Sequence, residues 1–385
     1  MGWVRKKSTV MDLPEEPSLI LWLIAGVTAL VSGVVLFVLH ANNLLGILQE
    51  YNLWLISTGP LFGWFLLTCL RGWRYNSAIE EYKFKNSEAD YAQQQWAEWA
   101  ERYMAVFYNS VILPGYLTPA AFLQASAELE QHINQTMRIN FKQGQDGFSL
   151  LLKGVRQKVN QLPPELQLDV ILLTDAADEE LSLQKVFAEA WRQNISSRRP
   201  VPVVKILKSK SFFYMDERLK SPELTAELIL VQQTQGEDKY SDAFAALLLV
   251  SDDLAAKYKF LHEARILRPM PLDMADLHNE LDVFFSTQKP ASFTHCIIGD
   301  RVRWGAAFPA LLKASEKYGG RWNAGQLHWL ETYAGISGPF SPWIMAAVIS
   351  DIVRIKSAAC LMLSTEKEQS FITTVTTGNK NNDNG

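Results

Sequence analysis

Leu168–Glu180 reads LDVILLTDAADEE. Its first six residues form a short apolar run, the pattern of a strand covered on both faces of a sheet. Asp178–Gln193 then has helical spacing, and Val201–Leu207 reads as a second strand. This strand–helix–strand rhythm runs through the remainder of the chain. Met104–Leu113, Ala226–Gln232, Phe244–Val250 and Phe293–Ile298 read as strands; Thr118–Gln135, Gly147–Asn160, Asp253–His262 and Asp273–Phe285 read as helices. In the last third, a helix over Gly305–Tyr318 stops at Gly319-Gly320. A Gly/Pro/Ser-rich turn, Gly335–Pro342, leads into the apolar helix Trp343–Ile355, and strands Ala359–Ser364 and Phe371–Thr376 close the pattern. The alternation predicts an α/β fold with a largely buried sheet. Arg265–Pro271 (RILRPMP), punctuated by two prolines, is expected to be irregular, with a possible subdivision near residue 270. No internal repeat is visible, and the tail from Gly378 is expected to be disordered.

Two uncharged runs precede this body: Ser18–Leu39 (SLILWLIAGVTALVSGVVLFVL) and Leu53–Leu70 (LWLISTGPLFGWFLLTCL). About 20 apolar residues cross a hydrocarbon core, so a transmembrane hairpin is expected over residues 18–70. Arg5, Lys6 and Lys7 precede it, Arg71, Arg74, Lys83 and Lys85 follow it, and His40–Asn52 has no Lys or Arg. The positive-inside rule puts both termini and the body on the cytoplasmic side of the membrane. The expected organisation is a cytoplasmic segment 1–17, the hairpin 18–70, a connecting helix 71–103, an α/β domain 104–377 and the tail 378–385. On the connecting helix, Trp96, Trp99 and Tyr103 form an apolar stripe.

The chain has 385 residues, 37 Lys+Arg against 41 Asp+Glu, and a pI near 5.9. A dedicated nucleic-acid surface would need a basic excess that this balance lacks. Cys69, Cys296 and Cys360 form no disulfide framework. The six histidines are scattered, without zinc spacing, and neither G-x-x-x-x-G-K-[ST] nor G-x-G-x-x-G occurs. The basic stretch Lys208–Ser211 reads as a solvated loop. His295 and Cys296 are strand neighbours facing opposite ways, so one does not activate the other. Asp175/Asp178 and Asp252/Asp253 follow strands, where α/β sheets bind ligands, but turn and cap duties explain them as well. No catalytic, cofactor-binding or metal residue is therefore assigned, no cofactor is expected, and binding functions gain weight over enzymes.

Tyr333–Ser350 is a small-residue loop running into an apolar helix. Ala359–Ser364, the charged turn Glu366–Glu368 and Phe371–Val375 then make a strand pair. This closing segment resembles that of the thiolase-like, condensing-enzyme superfamily. The superfamily's active-site cysteine and paired histidines have no matching positions, so the resemblance implies a degenerate, catalytically dead body. Together with the hairpin, LDVILLTDAADEE and Asp242–Asp253 (DAFAALLLVSDD) resemble the type VI secretion lipase adaptor family. That resemblance implies a membrane-anchored adaptor binding a protein cargo, a lipase-type effector bound for the secretion machinery, with the bilayer as second partner and homo-oligomers allowed. Two alternatives stand beside it. One is an immunity or regulatory protein against a membrane-acting toxin; the other is a membrane-associated acyl or lipid enzyme working through Cys296 or an Asp cluster.

Overall fold

A computed structural model describes residues 2–3, 11–44, 46–124, 129–141, 147–195, 199–221 and 223–379. It divides into two compact units: Lys6–Gln95, and Met1–Arg5 together with Trp96–Gly385. The flanking cations Arg5, Lys6 and Lys7, and the tail beyond Asn379, lie outside the described residues.

The first unit holds α1 (Leu19–Ala41) and most of α2 (Leu53–Glu101). Both helices are long and apolar enough to cross a membrane. Ser18 caps α1 by accepting from the Leu21 N–H. Pro60 is tolerated inside α2, and Thr58 and Ser57 hydroxyls bond carbonyls one turn back. The helices meet at small residues: a Cβ on Gly33 would lie 2.5 Å from the Ser57 carbonyl oxygen. The Trp64 indole donates to the Trp22 carbonyl at 2.9 Å. Close approach at glycine is how apolar helices gain packing where no hydrophobic force drives them together. Gly33→Leu is therefore expected to pry the pair apart at a cost of about 1–3 kcal/mol. Trp fluorescence and protease resistance in detergent micelles would report it; an unchanged profile would contradict the packing argument.

The separate connecting helix is corrected. Residues 71–101 simply continue α2, because no cap or breaker intervenes. Tyr103 is not on that helix but opens a strand, so the stripe reduces to Trp96 and Trp99, whose rings meet edge-on at 5.3 Å. The N-terminal segment 1–17 is corrected too. The Gly2 N–H donates to Glu280 at 2.9 Å, and Trp3 packs 5.1 Å from Trp99 and 5.7 Å from Phe284, so these residues belong to the body.

The body is one 11-stranded sheet. Its strands are β1 (Tyr103–Ile112), β2 (Gln167–Thr174), β3 (Val204–Leu207), β4 (Thr225–Gln233), β5 (Ala243–Ser251), β6 (Ala264–Leu267), β7 (Met270–Leu272), β8 (Cys296–Gly299), β9 (Leu327–Trp329), β10 (Cys360–Glu366) and β11 (Gln369–Thr377). The order is β3-β2-β4-β5-β1-β6-β11-β10-β8-β9, with β7 on β11. Read outward from the centre, each half repeats the other. β1, β5, β4, β2, β3 correspond to β6, β11, β10, β8, β9. In each half the three outer strands are parallel and the inner pairings antiparallel. β1 and β6 pair antiparallel between the halves, Met104 opposite Ile266. The chain is thus an internal structural repeat that its sequence does not display.

The segment expected to be irregular, Arg265–Pro271, contains β6 at the heart of the sheet and β7 on its flank. The half-to-half junction lies between Ser251 and Ala264, not near 270, and no compact unit begins there. The helix expected over Thr118–Gln135 shrinks to α3 (Pro119–Gln124). Residues 125–128 lie outside the described set, and 129–141 are irregular.

The other helices complete the layers: α4 (Gly147–Gln161), α5 (Glu180–Asn194), α6 (Tyr214–Lys220), α7 (Asp252–Tyr258), α8 (Leu277–Thr287), α9 (Phe308–Glu316), α10 (Glu331–Ala334) and α11 (Ser341–Lys356). Three apolar clusters separate them. One holds α4 and α5 against the first half-sheet through Leu151, Val155, Phe187 and Trp191. Another holds α8 and α9 against the second through Phe284, Phe285 and Leu311. Between them lies a central cluster containing α6, α11 and residues of both half-sheets. The pairing of β1 with β5 carries an irregularity at Phe107.

Candidate active site

In parallel α/β sheets, ligands gather at the carboxyl ends of strands. Here the two halves place matching carboxylates at that position. Asp175 follows β2 and accepts from the Thr234 and Gln235 N–H groups at 3.0 and 2.9 Å and from the Tyr240 hydroxyl at 3.1 Å. Asp300 follows β8 and accepts from the Thr365 N–H at 2.9 Å. The Trp304 indole donates to Asp300 at 2.7 Å, and the Ser341 hydroxyl at 2.8 Å. Asp175 is half-exposed and works as a loop clamp. Asp300 is fully buried. Burial pushes its carboxyl above the usual range even though three donors favour the charged form.

The end residues of β4 and β10 also match, and each reaches into the other half. Gln233 accepts from the Phe340 N–H at 3.3 Å, at the start of α11. Glu366 accepts from the Phe212 N–H at 3.0 Å, just before α6. The first contact satisfies an N–H group that a helix start leaves without a partner; the second holds the backbone two residues ahead of α6. The two helix entries touch where the Phe212 and Trp343 rings meet edge-on at 5.2 Å, and the Trp343 indole donates to the Lys210 carbonyl at 2.9 Å.

Ser341 is the first residue of α11, a 16-residue helix buried along most of its length. The positive end of the helix dipole lies at this hydroxyl. Gly335, at φ 76°, lets the entering loop turn where a Cβ would strike the Gln135 carbonyl and the Ser241 hydroxyl at 2.5 Å. The Ser337 hydroxyl donates to the Asp300 carbonyl at 2.8 Å, fastening that loop to β8. A cavity of about 20 Å³ lies beside Ser341, lined also by Gln233, Ser241, Ser337 and Gly338. It has room for a water-sized group.

The residues singled out in the sequence lie elsewhere. Asp252 and Asp253 both pair with Arg102, Asp252 at 2.7 Å. Asp178 is exposed. Cys296 faces Cys360 across β8–β10, their sulfurs 2.9 Å apart in the central core, while His295 is exposed. Trp322 is buried and donates to the Thr294 carbonyl. Among the described residues, no three His, Cys, Asp or Glu side chains are placed to hold a metal ion. Asp300 and Ser341 escaped sequence reasoning, although the strand-end rule that drew attention to Asp175 applies equally to the Gly299-Asp300 step.

No protein-family model matches the chain, and no curated protein sequence matches it. Solved structures do. The ketosynthase from module 1 of the bacillaene synthase of Bacillus amyloliquefaciens is 9% identical, with a TM-score of 0.50 and 75% of each chain covered. The body has a thiolase-like fold. A type II polyketide ketosynthase bound to its acyl-carrier protein (11% identity, TM-score 0.49, 72% and 99% covered) is also similar. So is 3-oxoacyl-[acyl-carrier-protein] synthase III from Aquifex aeolicus (14%, TM-score 0.41, 71% and 99% covered).

These findings overturn the adaptor reading. The likeness that carries the fold is to a ketosynthase, not to a secretion adaptor. The expectation of a non-enzyme is corrected with it, because it rested on sequence motifs whose absence does not describe the buried Ser341–Asp300 pair.

Proposed function

We propose that this chain is a membrane-tethered enzyme acting on an acyl or lipid substrate, with its reaction centre at the start of α11. One observation carries the reading: the Ser341 hydroxyl donates to buried Asp300 at 2.8 Å, at the positive end of the central helix. A nucleophile needs a base within about 2.6–3.2 Å. In this scheme Ser341 attacks the acyl carbonyl and its proton passes to Asp300. The helix dipole stabilises the developing oxyanion; the tetrahedral adduct then collapses, the leaving group departs with the proton held by Asp300, and an acyl-serine remains for water to cleave. Trp304 and the Thr365 N–H hold the Asp300 carboxylate in position. The 20 Å³ cavity does not hold an acyl chain, so the loop from Gly335 to Phe340 opens to admit one.

The apolar part of the hairpin supplies the tether. Gly2 and Trp3 pack within the body. This favours both ends of the hairpin lying on one side of the bilayer, the cytoplasmic side by the charge of the flanks.

The test is ester and thioester turnover by the detergent-solubilised full chain, with mass mapping of an acyl-serine. Ser341→Ala is expected to lower kcat at least 100-fold. Asp300→Asn is expected to slow acylation and alter its pH dependence. Turnover that survives Ser341→Ala intact would sink the proposal.

A further inference from the structure

A groove of about 400 Å³ is lined by Met274, Arg303, Trp304, Lys367, Glu368 and Ser370. That volume is in the range of small-molecule sites. Trp304 joins the groove to the carboxylate described above, since its indole N–H goes to Asp300. Two cations line it from different elements, Arg303 after β8 and Lys367 in the turn between β10 and β11. Both are exposed, and among the described residues neither has an ion-pair, hydrogen-bond or ring partner. Ser370 is 5% exposed, and its hydroxyl also has no partner among the described residues. A buried hydroxyl of that kind calls for a group that would supply one. Glu368 is the only carboxylate in the lining. Glu366, which neighbours Lys367, is turned to the Phe212 N–H. The turn itself adds a third sign. Glu366 pairs with Gln369, so Lys367 and Glu368 form a two-residue hairpin loop. Such loops need positive φ, which favours Gly, Asn or Asp. Lys367 takes it instead, at φ 54°. A left-handed lysine costs free energy that glycine would not, and outliers of this kind gather at ligand clamps.

We propose that this groove binds the phosphate group of a phosphate monoester. Two cations against one carboxylate leave the lining net positive. The Arg303 guanidinium, the Lys367 ammonium and the Ser370 hydroxyl are three donors of different shape from three places in the chain. That set suits a tetrahedral group of oxygens better than a planar carboxylate, which a single bidentate arginine would satisfy. A soluble phosphate ester and a phosphatidic acid headgroup share this chemistry. Binding here is non-covalent and rests on no step at Ser341.

The test is calorimetric titration of glycerol 3-phosphate into the full chain in phosphatidylcholine nanodiscs. Saturable binding is expected at about pH 7.5, and weaker binding at about pH 5, where the monoester is mostly a monoanion. Lys367→Gly is expected to weaken binding about 5-fold or more. It is not expected to lower the thermal unfolding midpoint, because glycine adopts φ 54° without strain. Arg303→Ala is expected to weaken binding to a similar degree, and Glu368→Gln to tighten it. Phosphatidic acid in the discs that competes with the probe assigns the site to a lipid headgroup; an unchanged isotherm assigns it to a soluble ester. Ser341→Ala is expected to bind the probe as the parent chain does, so failure of the reaction centre and failure of this groove give different results. No saturable heat, equal displacement by chloride, or an affinity unchanged in both Lys367→Gly and Arg303→Ala would overturn the site.

Discussion

Arg268→Ala is expected to destabilise the body by about 3–5 kcal/mol, the range for breaking one side of a buried ion pair. Arg268 is 1% exposed. Its guanidinium bonds the equally buried Asp216 carboxylate, donates to the Trp99 carbonyl at 2.9 Å and stacks 4.2 Å from the Trp99 ring. The Trp99 carbonyl belongs to the last turn of α2, where carbonyls lack helical partners. Gln288 caps the next carbonyl, Ala100, at 2.9 Å. Alanine removes a cap, a cation–aromatic contact and the main counter-charge of Asp216 together. Lys220, 2.6 Å from Asp216, softens the loss but is half-exposed and cannot reach the helix end. Urea denaturation of the full chain in detergent, followed by near-UV dichroism, would measure the change. A loss under about 1 kcal/mol would mean that the ion pair is worth no more than a surface one. The double variant Arg268→Met, Asp216→Leu is expected to recover much of the stability, because it leaves no orphaned charge.

Trp343→Ala is expected to cost a similar amount, about 3–5 kcal/mol, by emptying the centre of the middle layer. Trp343 is 1% exposed and packs against Phe212, which in turn contacts Phe371 at 6.0 Å. The cavity would open where the two halves meet, so relaxation of one helix cannot close it. Trp343→Phe retains much of the ring volume but loses the bond to the Lys210 carbonyl, and about 1 kcal/mol is expected from that bond. The same denaturation assay separates the variants. Equal losses for both would assign the whole effect to the hydrogen bond rather than to packing.

Much of the fold was legible in the sequence because buried strands carry a strong local signature. LDVILL and the run through Ala243–Ser251 are apolar on both faces because helices cover both sides. RILRPMP hid two strands, since Pro269 and Pro271 read as breakers. Pro271 is accommodated because β7 lies off the main path of the sheet, opposite Phe371. The repeat was illegible because pairing order, not residue identity, carries it. Of the candidate site, only the strand-end rule was available. Burial of Asp300 depends on Trp304, Ser341 and Thr365, which lie 4, 41 and 65 positions away. Long-range placement of this kind leaves no local pattern. The basic loop Lys208–Ser211 is solvated as its sequence suggests, with Lys208, Ser209 and Ser211 exposed and Lys210 half-buried.

The exchange of strand-end acceptors between the halves has a consequence for how the body can be divided. Gln233 finishes the entry of α11, and Glu366 finishes the approach to α6. Neither half therefore owns a complete centre. A chain cut in the connection between Ser251 and Ala264 would yield two fragments, each lacking the acceptor that its own central helix entry uses. Such fragments should remain incompletely ordered when alone and recover the native arrangement only on mixing. Mutual completion of this sort also means that an alteration at one strand end is felt first at the helix entry of the other half.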